Sequence, residues 1–233
     1  GTVRKEEWLG AAALGPLKSA TDGVSDECER HVFLGFDETY LYIAFQLERP
    51  HGAPAPQVPG KTGRVDSTGQ GDFVEIMIAP LLDFDHAYSF WIYGNGAFGD
   101  ATLSRGKDKN FDRDWFQSAR LTEDGWEGEV AIPWEAFGVE GKPPSGQTWG
   151  FDFVDNRRTP FIHLSHWAYR GPLWHTYENF GRVTFDARSA AVRFRRAGES
   201  GDGLFSAEFG LVNTTGSTVA VDCGLRVLKR RPG

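Results

Sequence analysis

Sulfur is scarce in this chain: two Cys and one Met among 233 residues. Cys28 and Cys223 stand near opposite ends, and both a disulfide and two separate buried thiols fit them, so the redox compartment stays open. Helix-forming runs are also rare. No apolar run is long enough to span a membrane as a helix, which excludes that class of membrane protein. Positive charge is in deficit, with a net charge of −7, and the short basic end Lys229-Arg230-Arg231 does not make the basic face of a nucleic-acid binder. Catalytic signatures are missing as well: no Gly-x-Ser-x-Gly, phosphate loop or dinucleotide fingerprint occurs. His163, His166 and His175 lack the spacing of a closed zinc site. Asp152, Asp155, Glu127 and Glu129 offer carboxylates, yet nothing marks a hydrolytic pair. The chain opens on Gly1 with no leader pattern, which predicts a piece of something longer.

Aromatics and glycine fill the gap, at 14% aromatic with 8 Trp and 29 Gly. This mixture favours an all-β protein. His31–Phe36 and Tyr40–Leu47 read as strands joined by Asp37-Glu38-Thr39. In the second, Leu41, Ile43, Phe45 and Leu47 alternate with Tyr40, Tyr42, Ala44 and Gln46, which predicts cover on both faces. Residues 49–71 are rich in Pro and Gly and predict a long functional or mobile loop. Asp72–Ile78 is a strand, Ala87–Tyr93 and Asn95–Asp100 a hairpin turning at Gly94-Asn95-Gly96, and Phe116–Leu121 with Trp126–Ile132 another. Pro133–Phe137 predicts one helical turn with Pro at its first position. Trp149–Val154, Leu164–Ala168 and Gly181–Phe185 follow. About ten short strands with regular turn signals predict an antiparallel β-sandwich, immunoglobulin-like or jelly-roll-like.

After Asp186 the composition shifts. Strands are predicted over 191–196, 204–212 and 218–228, too little apolar material to stand alone. The expected division is therefore a sandwich over 1–186, with 187–233 as a short C-terminal β extension. That extension reads as the opening of a second β domain or as strands packed on the first.

Six motifs fall in an order that resembles carbohydrate-binding module family 9, or more broadly the DOMON-like sandwiches. They are Gly1–Trp8, Gly35–Ala44, Asp72–Ile78, Gly125–Trp134, Trp149-Gly150-Phe151-Asp152-Phe153, and Trp174 through Asn179-Phe180-Gly181. The resemblance covers residues 1 to about 186. It implies a non-catalytic sandwich in which two Trp clamp a sugar, often a chain end, while Glu, Arg and Asn side chains bond its hydroxyls. It further implies attachment to other domains of a longer, glycan-active protein and a secreted or cell-surface location. Calcium at loops is implied for some members, and no other cofactor is required.

Residue by residue, Trp174 matches one clamping Trp, Glu75 the sugar-bonding Glu, and Asn156 the Asn after the Trp149–Phe153 strand. At the place of the second clamping Trp this chain has Gly69. That departure leaves three readings: another aromatic (Trp91, Tyr93 or Trp167) fills the gap, the ligand differs, or binding has been lost. The residues themselves fit sugar contact, since an aromatic face suits the C–H face of a pyranose and amides, carboxylates and guanidinium groups suit its hydroxyls. Candidate contacts are thus Trp174, Glu75, Asn156, Arg157, Trp167 and Trp91, with Arg158 a further fork of donors beside Arg157. Glu75, between Val74 and Ile76, either faces a ligand or pairs with an Arg. Trp126, Trp134 and Trp149 are expected in the core and Trp8 as an end plug. Asp83 and Asp85 are the candidate calcium ligands, against a reading as solvated loop carboxylates. Two rival functions stay in view: a structural or interaction spacer of a large cell-surface protein, and a cytochrome-type electron-transfer domain holding haem b through Met77 and His163 or His166.

Overall fold

The computed structural model describes residues 1–25, 28–83, 85–103, 108, 110–158, 162–168, 179–186, 190–197, 207–213 and 215–221. Two sheets face each other. The first runs β15-β14-β1-β3-β4-β10-β9 and the second β2-β12-β11-β6-β7-β8-β5. Their strands are β1 (Ala12–Ala13), β2 (Lys18–Ser19), β3 (Arg30–Phe36), β4 (Tyr40–Glu48), β5 (Gly63–Arg64), β6 (Phe73–Ala79), β7 (Tyr88–Tyr93), β8 (Ala97–Thr102), β9 (Phe116–Leu121), β10 (Gly125–Pro133), β11 (Thr148–Arg157), β12 (His163–His166), β13 (Gly181–Thr184), β14 (Ala191–Ala197) and β15 (Ala207–Val212). β13 pairs with the first half of β11, and β12 with its second half.

The all-β sandwich is as expected. Among the described residues, 1–186 hold thirteen strands rather than about ten, with β14 and β15 following, partly because two-residue ladders such as β1, β2 and β5 carry too little periodicity to be read from sequence. Most pairings are antiparallel, but β1 beside β14 and β5 beside β8 are parallel. Both parallel pairs join segments far apart in the chain, and sequence alternation says nothing about such partners. The hairpins at β7–β8 and β9–β10 form as predicted, with Gly96 at a left-handed φ of 79° that a side chain would disfavour. The expected helical turn is a 3₁₀ turn at Trp134–Phe137, with Pro133 capping it from the end of β10. β14 lies along β1, with Ala13 opposite Arg193, and β15 pairs β14 in turn. No strand forms over 218–221, and the remainder of the strand expected over 218–228, like Cys223, lies outside the described residues.

Alternation places the core. Leu41, Ile43, Phe45 and Leu47 of β4 face Val74, Ile76 and Ile78 of β6, Phe90 and Ile92 of β7, and Phe151 and Phe153 of β11. One end is closed by an aromatic box in which Trp134, Trp149 and Phe185 meet edge to face at 5.0–5.8 Å between centroids, a favoured geometry for such rings. Trp126, Trp134 and Trp149 are core, as expected. Trp8 is not an end plug. It lies over Phe33 on the outside of the first sheet, centroids 6.1 Å apart, and its indole N–H donates to Glu129 Oε1 at 3.4 Å.

Every residue of β6 is buried, on both sides of the strand. The second sheet is therefore covered on its outer face too, and that cover is what shapes the candidate site.

Candidate functional site

On β6, Phe73, Glu75, Met77 and Ala79 point away from the inter-sheet core. The register sets Glu75 opposite Trp91 of β7 and Val154 of β11, and Asn156 opposite Phe73. Alternation then puts Glu75, Ser89, Trp91, Tyr93, Asp152 and Asn156 on one outer face. All six are buried.

Two kinds of cover produce this burial. Over β6–β8, the segment 49–71 forms a roof: Val58 and Val65 pack on Phe73, Trp91, Tyr93, Ala97 and Ala101. Trp91 donates its indole N–H to Val65 O at 3.2 Å, and the Tyr93 hydroxyl donates to Ser67 O at 2.7 Å. Gly99 makes room, since a Cβ there would meet the Trp91 ring at 2.4 Å and Val65 O at 2.5 Å. The roof is anchored by Asp72, whose carboxylate takes Arg49 Nη1 at 2.7 Å, Gln57 N at 3.3 Å and Arg158 N at 2.6 Å. A carboxylate so buried is stable only with such partners. Trp91 is thus a roofed core residue rather than an open sugar platform, because the long loop carries enough apolar residues to close on it.

Over β11 and β12 the outer face is more polar. Glu75 accepts a short bond of 2.5 Å from the Ser89 hydroxyl. Asp152 takes the His166 ring at 3.2 Å and the Ala168 N–H at 2.8 Å. Burial pushes the Asp152 carboxyl above its ordinary pKa, against the pull of His166 and the backbone donors. Asn156 is 2% exposed, yet its side-chain oxygen has no hydrogen-bond partner. An amide oxygen left bare inside a protein costs about 1–3 kcal/mol. The Arg158 guanidinium sits 5.8 Å from the centre of the Phe73 ring, and its buried Nε also lacks a hydrogen bond.

Arg157 is not part of this group. One residue away from Asn156 in a strand, it points to the other face, where its Nε lies 3.4 Å from Asp155 Oδ2 and Arg30 approaches the same oxygen at 3.3 Å. Arg158 is the arginine on this side, its guanidinium over Phe73, the residue opposite Asn156 on β6. The parity of positions 156 and 158 is the sequence signal that separates the two arginines. Trp167 also points elsewhere: it meets Phe151 edge to face at 5.9 Å and covers Gly181, where a Cβ would approach its ring at 2.4 Å. With Trp8, Phe36, Trp149 and Phe194 it lines a largely apolar cleft of about 1030 Å³, to which Glu75 and Asn156 do not contribute. Trp174 and His175 lie outside the described residues.

Asp83 is occupied by its own turn, accepting from His86 N at 2.8 Å and meeting the His86 ring at 2.9 Å. Among the described residues no three ligating side chains gather at one point, and Asp85 is exposed. Met77 is wholly buried in a cluster with Ala79, Ala87, Leu103, Val154 and Phe180, the surroundings of a core side chain.

Three solved structures share this architecture. A carbohydrate binding module family 9 from Caldicellulosiruptor kristjanssonii in complex with cellotriose matches at TM-score 0.58, 17% identity, over 81% of this chain and 89% of that one. A family 9 module from the same organism in complex with glucose matches at 0.57, 18% identity, over 81% and 91%. The fold is that of carbohydrate-binding module family 9. A candidate carbohydrate-binding protein from Bacteroides uniformis matches at 0.59, 15% identity, over 78% and 88%. No family model and no curated protein matches the chain. In this chain Glu75 and Asn156 lie on one face of that fold. Gly69 stands exposed on the covering loop, with only Ser67 Oγ within 4 Å of where its Cβ would be.

Proposed function

We propose that this chain is a non-catalytic carbohydrate-binding module whose site is the outer face of the second sheet at Asn156, Glu75 and Arg158, completed by Trp174. The observation that carries the reading is the Asn156 side-chain oxygen, buried and without a hydrogen-bond partner on the face that also holds Glu75. A sugar hydroxyl would satisfy that oxygen, and the Arg158 Nε would serve a second ligand oxygen. Cellotriose and glucose in the family 9 structures support a sugar as the ligand class. Attachment to other domains of a secreted or cell-surface, glycan-active protein belongs to the same proposal, which requires no metal.

Titration calorimetry with a panel of neutral oligosaccharides tests it. Asn156→Ala is expected to weaken binding at least tenfold with little change in thermal stability, since the deleted oxygen has no partner to lose. Trp174→Ala is expected to weaken it similarly. Wild-type affinity in both variants rules the site out. One observation favours a second reading, a structural spacer: the roof of residues 49–71 already covers Trp91 and Tyr93. Absence of binding across the panel by the parent protein selects the spacer.

A further inference from the structure

A crevice of about 440 Å³ opens on the outside of the first sheet, lined by Tyr40, Asp112, Arg113, Asp114, Phe116, Pro133, Glu135 and Ala136. Its floor is aromatic. Phe116 is 64% exposed and meets Tyr40 at 5.9 Å between centroids with the planes at 76°. Tyr42 follows Tyr40 at 5.8 Å. The register explains the grouping: Ala131 of β10 is opposite both Tyr42 and Phe116, and Pro133 is opposite Tyr40. Single exposed apolar residues are ordinary on protein surfaces. Here three rings share one corner beside a cavity within the size range of small-ligand sites, roughly 300–1,000 Å³.

The rim supplies polar groups with little else to do. Asp112 is held by Arg64 at 2.6 Å. Arg113 stacks on Phe111 at 4.8 Å, which leaves its guanidinium donors exposed. Asp114 and Glu135 are exposed, and their carboxylates make no hydrogen bond or ion pair with the described residues. Arg64 is shared between Asp112 and the buried Asp100, so with Arg113 set against Asp114 and Glu135 the rim is net negative. An anionic ligand gains nothing from such a rim, whereas a neutral polyol finds both donors and acceptors.

We infer that this corner is a second carbohydrate contact, taking a neutral pyranose ring against Phe116 and Tyr40, with Arg113, Asp114 and Glu135 bonding its hydroxyls. The choice of a sugar as occupant rests on the carbohydrate-binding reading above. The two contacts lie on opposite outer faces of the sandwich and are separable by mutation. A protein carrying both grips two chains, or two stretches of one chain, and gains avidity at no cost to either site.

Calorimetry of the parent, Phe116→Ala, Asp114→Asn and Asn156→Ala against cellotriose, with an oligouronate as the anionic probe, tests the inference. Two cellotriose-binding events are expected in the parent. Phe116→Ala should remove one of them, Asp114→Asn should weaken that one at least threefold, and Asn156→Ala should remove the other. The oligouronate should not bind in the Phe116-dependent event. Phe116 is exposed, so its variant keeps the parent melting temperature. Binding that is lost in Phe116→Ala but kept in Asn156→Ala upholds this contact and overturns the Asn156 site. Binding lost in Asn156→Ala, with Phe116→Ala and Asp114→Asn titrating as the parent does, overturns this contact alone. A parent that binds no neutral sugar overturns both.

Discussion

The two sheets of this sandwich present outer faces of opposite character. On the second sheet, Trp91, Tyr93, Glu75, Asp152 and Asn156 are all buried, under the loop 49–71 on one side and beside Ala168 and Phe180 on the other. On the first sheet, a thin N-terminal segment covers only part of the face. Val3, Trp8 and Ala11 rest on Phe33 and Ala44, while Tyr40, Tyr42 and Phe116 stay partly or largely open. Aromatic residues are thus common to both faces, and what differs is the length of chain available to cover them. An aromatic ring under a roof contributes to stability, while the same ring in the open is available to a ligand. Local sequence does not tell the two apart.

The largest test of this contrast compares two truncations. Trp91→Ala should cost about 3–5 kcal/mol in urea unfolding, the usual range for deleting a buried large aromatic. Phe116→Ala should stay within about 0.5 kcal/mol of the parent, as exposed positions do. Equal costs would mean that the roof over Trp91 is not formed in solution.

A smaller effect is expected from pH. Burial raises the Asp152 carboxyl, so its stabilising contribution is complete below the ordinary aspartate range, about 3.9, and is lost as pH rises through the raised value. Asp152→Asn should therefore flatten the fall in melting temperature over that interval and melt higher than the parent above it. Identical pH profiles for the two proteins would remove Asp152 as the source. Smallest is the gain expected from Gly69→Trp. The residue is exposed, is not in a left-handed conformation and has open space around it, so an indole is accommodated without backbone strain. Restoring an aromatic on the loop above the Asn156 face should tighten cellotriose binding about threefold by calorimetry. An unchanged affinity would show that this loop does not reach the ligand.

Much of the fold was legible in the chain. The alternation of Leu41, Ile43, Phe45 and Leu47 gave β4 its inward face, and Asn95-Gly96 marked the β7–β8 turn. The aromatic residues of the Trp134–Phe137 turn found their core places. The site was legible only by halves. Glu75, Asn156 and Arg157 were read from the sequence as candidate contacts, with Arg158 beside them; the structure sets Glu75 and Asn156 on one face and turns Arg157 to the other, toward Asp155, because neighbours in sequence alternate across a strand. Trp91 was read as a candidate contact, and the roof that buries it leaves no trace in its own strand. The parallel pairings of β1 with β14 and β5 with β8 left no local trace.

By itself the sequence determined the all-β class, the turns and the inward stripe of each long strand, because those follow from alternation and from the special conformations of Gly, Pro and Asn. Tertiary structure decided which outward-facing residues are covered. It buried Trp91 beneath Val65 and turned Arg157 toward Asp155. It set Arg158 over Phe73 and left Phe116 open beside Tyr40. Cover depends on contacts between residues distant in the chain, and a two-residue period carries no information about what a loop closes upon.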